Sequence, residues 1–526
     1  MAPRALLSTF CVFVLACGET PSVPRPGPTA RPNLLLVSVD CLRADHLSCY
    51  GYERQTSPTL DALADEGVRF ERALSSSSWT LPAHLTMLTG LPVSAHGVDD
   101  DRLWSRTDGS GKPLPPPLKG VFVAEPLRAA GYRTAGFYSW KYLEPRFGFG
   151  PGFETWERKA HTFYSHPQVG PLYERLRAAG DLAGQRALVE RYPTLFDDTH
   201  PSSPEVIDAA ADWLDERASA GDDDPFFLFV HLFDVHDPYH PPEPYYSLFA
   251  DGYEGEIDGR RVTTRDSPVV GDMPARDLTR LVSLYDGAIR FVDAEIGRLL
   301  AQLDRLGLKQ NTLVVVTADH GEEFFEHGHK THRRQVYLES ISVPLIMRWP
   351  AGLASAGRVV QGNVGLVDLT PTLYAAAGVR SPVPTMGVDL LPLARGEQEN
   401  GARTYLSELV LFDQGPVPQR ILSLVRGEEQ RLLSTRGVKP WSAASLNLAQ
   451  DPLGRGRGRT LDAEGQQRLT ADLANLREAL LRLRSSQPAR GGSLQPLEAR
   501  ELAELAAMGY AGHDDLDAAD GDGARL

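Results

Sequence analysis

Three short apolar runs punctuate the chain: Leu34 to Val39, broken only by Ser38, Pro225 to Val230 and Leu313 to Val316. Runs of this length bounded by polar residues predict central strands of a parallel sheet, apolar on both faces. Tyr132 to Tyr138 predicts another strand. Between these runs the apolar positions recur every three or four residues, which predicts helices. Thr56–Phe70 reads as a helix with Leu60, Leu63 and Val68 facing in, and Phe122–Ala130 as one stopped by Gly131. A further helix starts at Ser203-Pro204-Glu205 and buries Val206, Ala210, Trp213 and Leu214. The longest runs from Leu281 to Leu306 and ends at Gly307. Strands alternating with helices in this way predict an α/β fold, a sandwich around a mixed, mostly parallel central sheet. Residues 158–200 show no clear period and read as a variable insertion at the pocket mouth.

Beyond residue 398 the pattern changes. Thr404–Val410, Ile421–Val425 and Gln430–Ser434 read as antiparallel strands, and Asp462–Leu483 as an amphipathic helix. They predict a smaller C-terminal α+β subdomain. Leu497–Ala511 reads as a short helix, and an acidic tail follows. The expected organisation is a leader over 1–17, a Pro-rich tether over 18–32, a catalytic domain over 33–397, the subdomain over 398–487, and 488–526 as short helix and tail.

The leader has Arg4 before an apolar stretch, Leu6–Ala16, too short to span a bilayer. It ends Val14-Leu15-Ala16-Cys17, a pattern similar to a bacterial lipoprotein signal with Cys17 as the lipidated residue; an ordinary secretory signal is the rival. An exported envelope protein, tied to the membrane only through an N-terminal lipid, is the expectation. Of four cysteines, Cys41 and Cys49 remain in the mature chain, and each reads as a small buried hydrophobe. A net charge of −15 argues against nucleic acid as a partner.

The chemistry clusters where strands end. Asp40 follows the first apolar run, and Asp319 and His320 follow the third. In open α/β sheets ligands bind beyond the carboxyl ends of strands. Two such strands far apart in sequence predict one shared metal site, although a helix N-cap would explain Asp40 alone. Oxygen ligands favour Ca²⁺, Mg²⁺ or Mn²⁺, and the imidazole admits Zn²⁺. Glu322, Glu323, Glu326, His327, His329, Lys330 and His332 crowd the next residues; a solvated charged loop is the plain alternative. Thr80 precedes Pro82, a residue suited to a helix's first turn. Its hydroxyl, at a helix N-terminus and beside a metal, could lose its proton and attack an ester, or could serve only as a cap. After the second run come His231, Asp234, His236 and His240. His236 could donate to developing charge or bond a carbonyl; His231 and His240 read as structural or peripheral.

The stretches RPNLLLVSVDCLRADHLSCYGY, WTLPAHLTMLTG, FFLFVHLFDVHDPY, LYDGAIRFVDAEIG, NTLVVVTADHGEEFFEHG, VYLESISVPLI and VDLTPTLYAAAGV resemble the sulfatase family of the alkaline-phosphatase-like superfamily, in the family's order. The resemblance implies that fold, one divalent ion (Ca²⁺ first, Mn²⁺ or Zn²⁺ as alternatives) on Asp40, Asp319, His320 and Thr80, and an anionic ester substrate. It implies that His236 contacts the anionic group and that His332, in preference to Lys330, is the leaving-group acid.

The family signature itself is altered. Sulfatases carry Cys or Ser followed by x-Pro-x-Arg, and that residue becomes formylglycine. Here the run is Thr80-Leu81-Pro82-Ala83-His84. A threonine β-carbon bears a methyl and cannot yield the aldehyde, so no formylglycine is expected; His84 takes the place of the substrate-binding arginine. The expected function is sulfate-ester hydrolysis at the cell envelope. Phosphoester hydrolysis or transfer through Thr80 is the rival, as in superfamily branches that use threonine. A non-catalytic envelope protein binding anionic glycans is the third reading, and the retained ligands argue against it.

Overall fold

In the computed structural model the described residues are 31–490, apart from 107, 109, 111–113, 160–168, 180, 193–200, 265, 354–355, 412–417 and 437–438. The leader with Cys17, the tether up to Ala30, the Leu497–Ala511 helix and the acidic tail lie outside them.

The strands of the main body are, in chain order, β1 (Asn33–Val39), β2 (Val68–Leu74), β3 (Arg133–Tyr138), β4 (Thr155–Arg158), β5 (Phe226–Leu232) and β6 (Thr312–Ala318). A small hairpin follows, β7 (Glu323–Phe324) with β8 (Lys330–Thr331), and then β9 (Ser342–Val343), β10 (Leu345–Arg348) and β11 (Arg358–Gly365). The main sheet runs β11-β2-β10-β6-β1-β5-β3-β4, with β9 added to β2. All pairs are parallel except those made by β9 and β10. The three apolar runs are therefore neighbours at the centre, and every residue of β1, β5 and β6 is buried. Covering both faces removes their Leu, Val and Phe side chains from water, about 1.5–3 kcal/mol each.

Register fixes the site. Val39 stands opposite both Leu232 and Ala318. The chains leaving β1, β5 and β6 thus emerge at one edge, and the Asp40 N–H donates to the Leu232 carbonyl at 2.8 Å. Carboxylates from neighbouring elements hold the flanking helices. Asp293, on the 31-residue helix Ala275–Arg305, accepts from the N–H groups of Thr59 and Leu60 at 2.9 Å each. Asp234, just after β5, accepts from the N–H groups of Ser202 and Ser203 and caps the helix Ser203–Ala220.

Two elements differ from the sequence reading. The helix expected to reach Phe70 spans Pro58–Glu66, and Val68 and Phe70 belong to β2. Gly67 makes the break: a Cβ there would lie 2.2 Å from the Met347 carbonyl oxygen, so only glycine lets β2 draw up to β10. The aperiodic 158–200 region holds two helices, Val169–Ala178 and Leu182–Arg191. The segment after β11, residues 366–377, is helical.

The C-terminal part forms an antiparallel sheet in sequence order, β12 (Thr404–Leu411), β13 (Gln419–Arg426), β14 (Glu429–Arg436), β15 (Lys439–Asn447) and β16 (Arg459–Thr460). The helix Ala463–Ser485 packs Leu469 and Leu480 with Leu91, Leu406, Leu424 and Leu433 in a second core. This sheet is tied to the main body next to Thr80. The Glu408 N–H donates to the Ser76 carbonyl (2.8 Å), Ser77 Oγ to the Glu408 carbonyl (2.8 Å) and Ser407 Oγ to the Ser75 carbonyl (2.6 Å). No described helix is long and apolar enough to cross a membrane.

Candidate active site

Thr80 is the first residue of the helix Thr80–Thr89. The extended Trp79 occupies the cap position without a side-chain bond, so Thr80 is not the cap residue and its hydroxyl is available to the site. Thr80 Oγ1 lies 3.4 Å from Asp40 Oδ2 and 3.5 Å from His320 Nε2. His320 Nε2 is 3.4 Å from both Asp40 Oδ1 and Asp319 Oδ2. Four residues from three distant segments thus meet at one point, all with no exposed surface. The rest of His320 is fixed: its Nδ1 meets the Gly321 carbonyl at 2.9 Å, and its N–H donates to Asp319 Oδ1 at 2.8 Å.

His84, read as a substrate contact, has another place. One helical turn after Thr80, its Nδ1 meets the Thr80 carbonyl (2.9 Å) and its Nε2 the Ser38 hydroxyl (3.0 Å). Nδ1 also lies 3.5 Å from Asp319 Oδ2. With both ring nitrogens engaged by the protein, His84 braces the Thr80 helix against β1 rather than reaching out to a ligand. Lys330 turns its ammonium to the Val269 carbonyl (2.6 Å) and the Ser267 hydroxyl (3.4 Å). His332 does join the cluster: its Nδ1 lies 3.1 Å from Glu322 Oε1 and 3.6 Å from Cys41 Sγ. His236 stacks on Phe233, gives its Nδ1 to the Asp237 carbonyl (2.6 Å), and stands 4.8 Å from the His332 ring.

Two further residues join the site that the sequence reading had not placed there. His231, expected to be structural or peripheral, is in β5, paired with Ser38 of β1, and its Nε2 sits 3.2 Å from Asp40 Oδ2. Cys41 is buried as expected but does not behave as a hydrophobe. It adopts a left-handed backbone (φ 59°), its N–H donates to Asp319 Oδ1, and its thiol is 3.3 Å from Asp40 Oδ1. Glu322 is a further buried carboxylate of the site. One signal was available: Ser38 and His231 each interrupt an apolar run, and they stand side by side. Arg43 forms the local ion pair with Asp45 at 2.7 Å and also holds Glu326. His240 is peripheral, bonded to the Asp258 carbonyl.

The electrostatics follow from burial of like charges. Burial pushes the Asp40 carboxyl up, but His231, His320 and His236 outweigh it and hold Asp40 well below the usual range. Burial and the Asp40 charge push Asp319 up to about 7. Burial raises Glu322 to about 7 against His236 and His320. Burial together with His231 lowers His84 to about 3, and burial with His320 and His236 lowers His332 well below its usual value. His236 goes the other way: burial lowers it, but Asp237, Asp40 and Glu322 win.

A divalent cation fits this arrangement. Ligand atoms of Asp40, Asp319 and His320 lie within 4.8 Å of one another. Asp319 Oδ2 is buried and accepts no hydrogen bond. Such an oxygen beside a second carboxylate is costly unless a cation meets it.

The sulfatase family profile matches residues 32–379. An ulvan-active sulfatase of Formosa agariphila is 25% identical over 488 residues, covering 90% of this chain and 87% of its own. A solved structure in complex with its substrate D-glucosamine-2-N,6-O-disulfate superposes with a TM-score of 0.61 at 19% identity, covering 87% of this chain and 98% of the other. The phosphonate monoester hydrolase of Agrobacterium radiobacter gives 0.62 at 22% identity, covering 90% and 99%. With the profile spanning well over half of the sequence and the cluster lying within it, the chain belongs to the sulfatase family.

Proposed function

We propose that the protein is a metal-dependent hydrolase of sulfate esters that uses the Thr80 hydroxyl itself as nucleophile. The observation that carries this is the position of Thr80 Oγ1, 3.4 Å from Asp40 and 3.5 Å from His320, at a helix N-terminus. Asp40, Asp319 and His320 would hold one divalent ion. Such an ion supplies Lewis-acid charge to the anionic ester. Asp40 stays ionised beside the Thr80 hydroxyl, and the free N–H groups of the helix's first turn add positive potential. Thr80 Oγ, its proton given up to water, forms a bond to sulfur as the bond from sulfur to the alcohol oxygen breaks. The leaving oxygen takes a proton from the wall of His236 and His332, where, against burial, Asp237, Asp40 and Glu322 favour the protonated form of His236. Water then cleaves the threonine sulfate ester, releasing sulfate and restoring the hydroxyl.

The relatives support a sulfate ester as substrate, and the neighbour solved with glucosamine disulfate supports a sulfated sugar. Threonine in place of a formylglycine precursor, together with the phosphonate hydrolase neighbour, favours a second reading in which the same hydroxyl attacks phosphorus. Turnover of matched aryl sulfate, phosphate monoester, phosphodiester and phosphonate substrates, each beside Thr80→Ala, tests both. Sulfate turnover lost in the variant supports the first reading, and phosphorus-ester turnover lost in it supports the second. Turnover that survives in Thr80→Ala overturns the nucleophile.

The leader ending at Cys17 supports export and a lipid anchor. Labelled fatty acid incorporated by the wild type and not by Cys17→Ala tests it.

A further inference from the structure

Arg333 stands between two halves of the site. It follows His332 in the chain, and its N–H donates to the Ser78 carbonyl at 3.0 Å. Its guanidinium carbon lies 4.0 Å from the centroid of the Trp79 ring. Ser78 and Trp79 are the last two residues before Thr80. We propose that Arg333 is a positioning residue, which fixes the segment 78–80 and His332 relative to one another.

The clamp on the guanidinium is the first support. Its Nη2 and Nη1 donate to Asp101 Oδ1 and Oδ2 at 3.1 and 3.4 Å, a two-pronged pair whose plane the carboxylate sets. Asp101 also accepts from the Tyr142 hydroxyl at 2.6 Å, and the Tyr142 ring stands edge-on to Trp79 at 5.6 Å. Trp79, Arg333, Asp101 and Tyr142 thus close a ring of contacts. Trp79, Asp101 and Tyr142 are buried, and the Arg333 side chain is 14% exposed. With little water to compete, the forked ion pair and the cation on the indole face both gain strength. A lysine would keep the charge but neither the fork nor the flat contact with the indole.

Backbone conformation is the second support. Thr331 and Arg333 both lie in the left-handed region, at φ 65° and 63°. That region is uncommon for residues with a Cβ, and rarer still for a β-branched one. Such a conformation persists where its surroundings impose it. Here β8 pairs Thr331 with Glu323 on one side, and Ser78 and Asp101 hold Arg333 on the other. His332 sits between these two pinned residues. Its Nδ1 is 3.1 Å from Glu322 Oε1, and its ring is 4.6 Å from that of His320.

On the reading of Thr80 as nucleophile and His332 as part of the wall at the leaving oxygen, on which this role rests, Arg333 sets the distance between attack and departure. The guanidinium itself is given to Asp101 and Trp79, so its part is to hold the acting residues. Loss of the clamp lets both segments drift. A misplacement of about 1 Å at a reacting group can lower a rate about 10²-fold. The loss therefore falls on kcat, while binding of the ester is kept.

Arg333→Lys and Asp101→Asn in the full mature chain test the role, on aryl esters of graded leaving-group acidity from whichever class the enzyme turns over. The expected result is a kcat about 10- to 100-fold lower in both, with KM within about twofold of the wild type. The fall should be larger on poorer leaving groups, because His332 shifts together with Thr80. The double variant should lose no more than the worse single one, since both substitutions break one clamp. A merely structural defect would lower the active fraction and so reduce kcat equally on every ester. Unchanged kcat, a rise in KM alone, or an equal fall on every ester overturns the proposal. Hydrogen exchange needs no turnover: peptides over 76–82 and 329–335 should both lose protection in either variant, and protection kept in one of them overturns the coupling. Turnover that survives in Thr80→Ala overturns the nucleophile and this role with it. Turnover lost in Thr80→Ala beside full kcat in Arg333→Lys overturns the positioning role alone.

Discussion

Thr80 Oγ1 and Asp40 Oδ2 are 3.4 Å apart although 40 residues separate them. One opens a helix and the other closes a strand. On the proposed mechanism, removing the hydroxyl removes the attacking atom but little packing. Thr80→Ala is therefore expected to lower kcat by about 10³-fold or more on whichever ester the enzyme turns over. Its thermal unfolding should shift by only a few degrees. Thr80→Ser keeps the oxygen and should retain measurable turnover.

The metal-free site should respond to pH. Asp319 and Glu322 are both held at about 7, far above their usual 3.8 and 4.5. Between about pH 4 and 7 these two groups bind more protons in the native state than in the unfolded chain, which lowers stability as pH rises. His84, held at about 3, and His332, held well below its usual 6.5, act in the opposite sense below about pH 6.5. The chelated protein should therefore melt lower at pH 8 than at pH 6.5. Added Zn²⁺ or Mn²⁺ should reverse this, with affinity rising up to about pH 7 as protons are released. Melting scans at the two pH values, with and without metal, check both statements.

His231 touches Asp40 from behind, Nε2 to Oδ2 at 3.2 Å. A partner behind a ligating carboxylate holds its orientation. His231→Ala should weaken binding at the metal site about 10- to 100-fold, measured by competition with a chromophoric chelator.

Glu408 of the C-terminal sheet accepts from the Ser94 N–H at 2.9 Å and from the Ser94 hydroxyl. Its own N–H and carbonyl hold Ser76 and Ser77, just ahead of Thr80. Glu408→Ala removes the two hydrogen bonds to the exposed Ser94 while leaving the backbone anchors in place, and should cost about 0.5–1.5 kcal/mol in denaturant unfolding. Truncation after residue 397 should yield no active enzyme, because the Thr80 loop loses these anchors.

Much of the body could be read directly. The apolar runs ending at Asp40 and Asp319 marked central strands, because a strand covered on both faces has no polar side to show. The long period of Leu281 to Leu303 marked its helix for the complementary reason. The break at Gly67 could not be read, because the cause is the Met347 carbonyl of a strand some 280 residues away. The partners of His84 could not be read either, because a motif position tells where a residue stands, not which groups close around it.

The sequence by itself determined the α/β alternation, the altered Thr80 motif, and the delivery of Asp40, Asp319 and His320 to strand ends. These depend on local period and on side-chain chemistry, both of which are written along the chain. Only the tertiary structure decided that His231 backs Asp40, that His84 braces a helix, and that Glu322, His332, His236 and Asp237 gather beside the metal centre. Those relations come from sheet register and from loops packed across the sheet edge. Contact between such segments depends on how the whole core closes, and no stretch of sequence contains both partners.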